Sequence, residues 1–209
     1  MSFSTLKSCV LVVTGWFIVS QVNAQDLPDF QQNPSQHVKA MLKLYQQPVT
    51  ASALIVQIKT QKMYHFKSGK LIKRYTISSS KYGIGNQSGS NKTPLGVHIV
   101  KTRFGQGAKR GTIFKARVNT GSLAEIITDN KSAKADYVTT RILWLSGLEK
   151  GKNKGKGIDS YKRYIYIHGT PEEGKLGRPA SHGCIRMYND DVIRLFADIP
   201  VGTLVNIIR

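Results

Sequence analysis

The amino-acid sequence predicts a mainly β fold, arranged as a β-sandwich or an open barrel, with one or two short helices. Eight short apolar segments are typical of strands, and turns rich in Lys, Gln and Gly separate them. Only two stretches show the spacing of an amphipathic helix. Because no internal repeat interrupts the series, we expect one domain with its own core.

Residues 1–24 have the three-part layout of a secretory signal peptide. One charged residue, Lys7, precedes an apolar run from Cys9 to Val19, and a polar stretch ends at the small residue Ala24. An uncleaved membrane anchor is the alternative, but the run is shorter than the roughly 20 residues that span a bilayer. We therefore expect an exported protein in the periplasm or cell-wall space, with no stable membrane span after signal cleavage.

Residues 25–50 are expected to form an N-terminal tail and a short amphipathic helix. Residues 25–34 are polar and broken by proline. Ser35 is a plausible N-cap, and Pro48 ends the helical pattern. The apolar positions of this helix are Val38, Met41, Leu42 and Tyr45.

The remaining residues, 51–209, hold all the predicted strands and a second helix. Asn189 is the expected N-cap of that helix, and Val192, Ile193 and Phe196 form its apolar face. The predicted strands are 53–58, 62–66, 71–78, 96–101, 112–116, 137–145, 163–168 and 203–208.

Two loops differ from the other connections in composition. Residues 78–94 are rich in Ser, Gly, Asn and Lys and lead into the turn Thr93-Pro94-Leu95-Gly96. In residues 149–157, lysines alternate with Gly and Asn, a composition that we expect to be too polar to pack and too flexible to stay rigid. This second loop is predicted to be solvated, with a mobile flap over an anionic substrate as the alternative.

The chain is strongly basic, with 31 Lys plus Arg against 12 Asp plus Glu. Its formal net charge is +19, or +18 once Lys7 is removed with the signal peptide. Such a charge indicates a polyanionic neighbour, such as lipid head groups or an acidic envelope polymer, unless it serves only solubility. Export and the lack of any nucleic-acid-binding motif argue against nucleic acid.

Cys184, in the run Ser181-His182-Gly183-Cys184-Ile185-Arg186, is the candidate nucleophile. It is the only cysteine left once residues 1–24 are removed, and a lone thiol in an oxidising compartment favours a functional interpretation over a buried, inert one. A nearby imidazole or cation is the usual way to stabilise a thiolate, and this run supplies both.

Two histidines are candidates for the general base. His168 ends a strand in which alternation places Tyr164, Tyr166 and His168 opposite an apolar face, and the turns that follow can fold Cys184 back toward it. His182 lies only two residues from Cys184, so chemistry alone leaves both open. A zinc site formed by His168, His182 and Cys184 is a weaker alternative, because their spacing matches no common zinc pattern.

The segments Thr93-Pro94-Leu95-Gly96, Ile167-His168-Gly169-Thr170 and residues 181–187 resemble the L,D-transpeptidase catalytic domain of bacterial cell-wall enzymes. The resemblance covers residues 51–209, and the last of the three segments is the most specific. It implies a β-sandwich with a small helical element and acyl transfer on peptidoglycan stem peptides.

The resemblance also implies roles for individual residues. Cys184 would be the nucleophile and His168 the general base, oriented by the backbone carbonyl of Gly169. Ser181 and His182 would support the site, and the backbone N–H groups of Gly183 and Cys184 would form the oxyanion hole. Arg186 would hold the turn or bind a substrate carboxylate.

The implied reaction takes a stem tetrapeptide as acyl donor, forms a thioester and releases D-alanine. The acceptor would be an amine of a second stem peptide or of an envelope protein. Attack by water would make the protein an L,D-carboxypeptidase. No metal and no organic cofactor is expected.

Three other classes of protein remain as alternatives. A sortase-like transpeptidase fits less well because Arg186 follows Cys184 by only two residues. A papain-like peptidase places Cys before His, the reverse order. A non-catalytic module that binds anionic wall polymer through its basic surface would show no acylation, and its binding would weaken with salt.

Overall fold

The computed structural model describes residues 26–49 and 51–209, so the predicted signal peptide at 1–24 lies outside the described residues. The described chain is mainly β with two short α-helices, which confirms the predicted fold class. The helices are α1 (Pro34–Leu44) and α2 (Asn189–Asp198). The strands are β1 (Ser52–Gln57), β2 (Lys62–Lys67), β3 (Lys70–Ser78), β4 (Gly96–Phe104), β5 (Thr112–Lys115), β6 (Val118–Leu123), β7 (Val138–Gly147), β8 (Tyr166–Gly169), β9 (Ile185–Met187) and β10 (Leu204–Ile208).

All ten strands form one sheet, in the order β4-β10-β1-β2-β3-β9-β8-β7-β5-β6. Strands β4 and β7 also pair with each other, which closes the sheet into a barrel-like ring and leaves the β5–β6 hairpin attached to β7. Most neighbours are antiparallel, but β1 pairs with β10 and β8 with β9 in parallel. The short strands β8 and β9 thus lie in the middle of the sheet, between β3 and β7.

Alternating side chains of β7 enter two different cores. Leu143 and Leu145 pack in the largest apolar cluster, together with residues of β1, β8, β9, β10 and α2. Ile142 and Trp144 point to the other side and pack with Phe114 in a smaller cluster. Because β7 is covered on both faces, it provides a rigid support for β8, its neighbour in the sheet.

Helix α1 has the predicted apolar face but a different N-cap. Val38, Met41 and Leu42 are fully buried, as their spacing predicts. The predicted cap, Ser35, is wrong, because Asn33 accepts a hydrogen bond from the Gln36 N–H at 3.0 Å and Pro34 fills the first helical turn. Proline is favoured there because its missing N–H has no helical partner to lose.

Helix α2 begins at Asn189, with Tyr188 as its cap residue, so the predicted cap at Asn189 is wrong by one residue. The Asn189 side chain is fully buried and bridges other parts of the fold. Its Nδ2 donates to the Thr170 carbonyl at 2.7 Å, and its Oδ1 accepts from the Thr139 hydroxyl at 2.8 Å. It therefore connects α2 to β7 and to the segment after β8.

Residues 149–157 are anchored, contrary to the expectation that they cannot pack. Asn153 is fully buried, and its Nδ2 donates to the carbonyls of Leu95 and Val97 at 3.2 and 3.1 Å. Its Oδ1 accepts from the Glu149 N–H at 2.9 Å. The loop is thus held against the start of β4, and the idea of a mobile flap is wrong for its centre.

Two strands have no counterpart in the sequence prediction, and one predicted strand is shorter. Strand β6 is exposed along its whole length, and β9 has only three residues, so neither carries a usable apolar pattern. The strand predicted at 163–168 begins at Tyr166, because Tyr164 has a φ of 57°, in the left-handed region that breaks extended structure.

Candidate active site

Strand β8 carries His168, and Cys184 lies directly before β9, on the same face of the sheet. The parallel register pairs His168 with Arg186 and Ile167 with Ile185. Because side chains alternate along a strand, Cys184, two residues before Arg186, lies on the same face as His168, whereas Ile167 and Ile185 enter the main core. The sheet thus brings together a thiol and an imidazole that lie 16 residues apart in the sequence.

The His168 imidazole is buried and held in one tautomer. Its Nδ1 lies 2.7 Å from the Gly169 carbonyl oxygen, which can only accept, so Nδ1 carries the proton and Nε2 keeps its lone pair. Burial lowers the pKa of His168 to about 4, with a further lowering from Arg186 that the Asp136 carboxylate and the Gly169 carbonyl oppose. At neutral pH the imidazole is therefore an uncharged base.

The Cys184 thiol is hydrogen-bonded to the backbone of β8 and the residues before it. It donates to the Tyr164 carbonyl at 3.3 Å, and its sulfur accepts from the Tyr166 N–H at 3.4 Å. Burial, aided by the Asp136 charge, raises the pKa of Cys184 to about 12, although the Tyr166 N–H, Arg186 and Arg163 act in the opposite direction. The resting thiol is therefore protonated, contrary to the expectation that its neighbours stabilise a thiolate.

The turn before Cys184 is held by Ser181. The Ser181 hydroxyl donates to the Cys184 carbonyl at 2.6 Å and accepts from the Gly183 N–H at 3.2 Å. Gly183 has a φ of 124°, a backbone conformation that residues other than glycine rarely adopt. One of the two N–H groups expected in an oxyanion hole, that of Gly183, is thus engaged with Ser181 in this structure.

His182 faces solvent and is bound to the carboxylate of Asp136, which no motif of the sequence indicates. Its Nδ1 lies 2.7 Å from Asp136 Oδ2, and its ring lies 5.6 Å from that of Tyr82, centroid to centroid. The side chain is 43% exposed, whereas His168 is only 1% exposed. The two candidate histidines therefore occupy different environments, one buried and one on the surface.

Arg186 is buried between two carboxylates. Its guanidinium lies 2.6 Å from Asp136 Oδ1 and donates to Glu172 Oε2 at 2.8 Å, and its side chain is only 2% exposed. Both terminal nitrogens are thus paired within the fold. These contacts tie β9 to Asp136 and Glu172 and leave neither terminal nitrogen without a carboxylate of the fold.

Asp136 connects the elements of the site. Burial raises the pKa of its carboxyl group, but the charges of Arg186 and His168, with hydrogen bonds from His182 and Arg186, outweigh this and keep the pKa below its usual value. The carboxylate is therefore ionised at neutral pH. It lies just before β7 in an irregular, polar segment, so no periodicity or motif identifies it in the sequence.

The Thr93-Pro94-Leu95-Gly96 turn packs against the turn before Cys184. The buried Thr93 hydroxyl donates to the Gly183 carbonyl at 3.1 Å. Arg163 holds the same loop through the carbonyls of Lys92, at 2.6 Å, and Gly85, at 3.2 Å. Residues 78–94 thus form one wall of the site.

Among residues 26–49 and 51–209, no group of three or more His, Cys, Asp or Glu side chains is arranged to hold a metal ion. His168, His182 and Cys184 accordingly form no such group. In the same part of the chain, no helix is long and apolar enough to cross a membrane.

The described chain is thus a β-fold domain in which one face of the sheet carries a buried imidazole and a thiol. The chain belongs to the L,D-transpeptidase family, because the family model YkuD, the L,D-transpeptidase catalytic domain, matches residues 51–207. This confirms the family resemblance of the three sequence segments.

Individual relatives agree with this assignment. YqjB of Bacillus subtilis, a curated protein named for the same family, is 54% identical over 50 residues, which are 24% of this chain and 27% of YqjB. YcfS of Escherichia coli K12, likewise named, is 25% identical over 161 residues, or 75% of this chain and 43% of YcfS. The chain thus spans less than half the length of these two curated relatives.

A solved L,D-transpeptidase from Mycobacterium smegmatis is 16% identical, with a TM-score of 0.48. The match covers 76% of this chain and 58% of that structure.

Proposed function

We propose that the protein is a peptidoglycan L,D-transpeptidase in which Cys184 is the nucleophile and His168 the general base. The observation that carries the proposal is the shared face of β8 and β9, on which the Nδ1–H of His168 is fixed to Gly169 and its Nε2 is free to take a proton. His182 fits the role less well, because it is exposed and its Nδ1 is committed to Asp136.

In the first half-reaction, the Cys184 thiol leaves the Tyr164 carbonyl and passes its proton to His168 Nε2 as the sulfur attacks. The attacked carbon is the carbonyl of the third residue of a stem tetrapeptide. When the tetrahedral intermediate collapses, its C–N bond breaks, His168 returns the proton to the leaving nitrogen, and D-alanine departs from a thioester. Because both groups rest uncharged, proton transfer accompanies attack rather than preceding it.

The Cys184 N–H is the proposed principal donor to the oxyanion of the tetrahedral intermediate. The Gly183 N–H can join it only if it leaves or shares the 3.2 Å bond to the Ser181 hydroxyl. A backbone N–H that already points at the oxyanion stabilises its negative charge without having to reorient during the reaction.

In the second half-reaction, an amine attacks the thioester and regenerates the thiol. An amine of a second stem peptide gives a crosslink, and a lysine of an envelope protein gives a protein anchor. Water would give L,D-carboxypeptidase activity. Mass profiling of wall digests with and without the protein separates these products, as new crosslinks, lost anchors or shortened stems.

The nucleophile is tested by intact-mass spectrometry with a stem tetrapeptide or a β-lactam as acylating agent. We expect a thioester adduct on the wild-type chain and none on Cys184→Ala. In the full-length chain, which still contains the second cysteine, the matched control is Cys9→Ser, which should form the adduct as the wild type does. An adduct that survives in Cys184→Ala would refute the assignment.

The base is tested by the rate of that acylation. Replacing His168 with Ala should slow it by about 100-fold or more, because general-base catalysis typically contributes that much. Replacing His182 with Gln should have a much smaller effect. If His168→Ala acylates at the wild-type rate, the role passes to His182, and if neither variant nor the wild type is acylated, a non-catalytic wall-binding module becomes the better description.

We also propose that residues 1–24 direct export and are removed, so that residues 25–50 and the catalytic domain at 51–209 act outside the cytoplasm. The three-part layout of residues 1–24 and the wall-modifying family support this. N-terminal sequencing of the exported protein should show a start near residue 25, and a start at Met1 would overturn the idea.

A further inference from the structure

Arg117 lies in a strained turn close to the candidate active site. It joins β5 to β6, and both residues of the turn, Ala116 with φ 48° and Arg117 with φ 71°, are in the left-handed region. Two-residue turns of this kind favour Asn-Gly or Asp-Gly, since other residues adopt a positive φ at a cost. Turn chemistry alone does not account for an arginine at this position.

The Arg117 guanidinium rests on an aromatic platform. Its central carbon lies 4.6 Å from the ring centroid of Trp144 and 5.4 Å from that of Tyr164, and one terminal nitrogen donates to the Tyr166 hydroxyl at 3.3 Å. A guanidinium has five N–H donors in a planar fork. The platform therefore orients the fork while leaving donors at its edge available.

The same two tyrosines hold the Cys184 thiol. The Tyr164 carbonyl accepts from the thiol, and the Tyr166 N–H donates to its sulfur. Cys184 also packs against the cluster that contains Trp144 and Tyr166. Arg117 is thus linked to the thiol through Tyr166, whose hydroxyl accepts from the guanidinium and whose N–H donates to the sulfur.

Within the part of the chain that the structure describes, no Asp or Glu forms an ion pair with Arg117. By contrast, Arg186 and Arg110 each contact two carboxylates. Arg117 also borders an open recess of about 360 Å³, lined in part by Gly105 and Gln106. The guanidinium is therefore accessible, oriented and free to bind an anion.

We propose that Arg117 binds a carboxylate of the acyl-donor peptide and thereby places the scissile carbonyl at Cys184. The proposal rests on the function proposed above. A planar fork of donors matches a carboxylate bidentately, which a lysine cannot do. A stem tetrapeptide always offers one such group next to the scissile bond, the C-terminal carboxylate of the leaving D-alanine. A second is present where the third residue is a diamino acid that carries a carboxylate at the end of its side chain.

The experiment measures the second-order rate constant of Cys184 acylation by three tetrapeptides: the free acid, its C-terminal carboxamide, and the form amidated on the diamino acid. With the wild type, amidating the recognised carboxylate should slow acylation by roughly 10- to 100-fold, the usual worth of a charge-assisted hydrogen bond. Arg117→Met should slow the free acid by a similar factor and barely affect the peptide that lacks that carboxylate. The rate at which the free acid acylates Arg117→Lys should lie between the rates for the wild type and Arg117→Met.

Two controls separate recognition from structure and from general charge. Lys115→Met removes one positive charge from the same hairpin and should leave all three rates within about twofold of the wild type. Alkylation of Cys184 by neutral iodoacetamide reports thiol reactivity without a carboxylate, and Arg117→Met should not change it.

The outcomes distinguish the proposals. The carboxylate whose amidation slows acylation of the wild type but not of Arg117→Met is the group that Arg117 binds. If Arg117→Met slows all three peptides and iodoacetamide equally, Arg117 only supports the aromatic platform and the inference is overturned. If the wild type reacts equally with all three peptides, the inference fails while the proposed function stands. If no peptide acylates the wild type, both fail.

Discussion

At the scale of single residues, the site depends on charges that the fold pairs internally. Arg186 pairs with Asp136 and Glu172, and Asp136 in turn binds His182 and acts on both His168 and Cys184 through its charge. A buried guanidinium between two carboxylates is costly to break, because removal of one partner leaves the others desolvated and unpaired.

Replacing Arg186 with Met should therefore lower the free energy of unfolding by about 3 kcal/mol or more, measured by urea denaturation. The matched control is Arg194→Met, which removes an exposed pair with Asp191 and should change it by less than about 1 kcal/mol. Equal effects of the two substitutions would contradict the structural role assigned to Arg186.

Some of these residues could be predicted from the sequence, and others could not. Cys184 and His168 stand in recognisable motifs, and alternation placed His168 on the correct side of its strand. Asp136 carries no such pattern, because it reaches the site only through the closure of the sheet. The protonation of Cys184 could not be predicted either, since it depends on burial by neighbours distant in sequence.

At the scale of elements, loops do more of the positioning than their composition suggests. Residues 149–157 consist largely of Lys and Gly, yet Asn153 is fully buried and replaces missing backbone partners around the start of β4. The composition of a loop predicts only how such loops behave on average. Here the buried side-chain amide of Asn153, with its several backbone partners, fixes the position of the loop.

We expect Asn153→Ala to destabilise the fold by about 2–3 kcal/mol, because it leaves buried carbonyls of Leu95 and Val97 and the Glu149 N–H without these partners. Hydrogen exchange should quicken at the Glu149 amide. Lys154→Ala, in the same loop but exposed, should change stability by no more than about 0.5 kcal/mol. Unchanged exchange in Asn153→Ala would show that the loop holds itself by other contacts.

At the scale of the whole molecule, buried histidines couple stability to pH. Among the described residues, burial lowers the pKa of His37, His65, His98 and His168. Burial lowers the pKa of both His98 and His168 to about 4. His98 is fully enclosed, bound to the Gly96 carbonyl at 2.8 Å and to the Ser160 hydroxyl at 2.9 Å. Between about pH 6.5 and 4, the unfolded chain takes up protons on these side chains and the folded chain does not.

The free energy of unfolding should consequently be at its full value above about pH 6.5 and fall as the pH is lowered toward 4. By pH 4.5 His98 and His168 should each have removed on the order of 2–3 kcal/mol. Urea unfolding at pH 7 and pH 4.5 measures the difference, and His98→Gln should reduce it. A stability that stays constant over this range would mean that neither histidine is as strongly desolvated as the structure indicates.

The parallel pairing of β1 with β10 has a further consequence, for how the chain folds. Ala53 pairs with Leu204 and Gln57 with Ile208, so one edge of β1 gains its neighbour only from residues 151 positions further along the chain. Contacts of such long sequence separation form late and slow folding. Closure of the sheet should therefore be a late step of folding, and hydrogen exchange during refolding should protect the amides that join β1 to β10 after those that join β1 to β2.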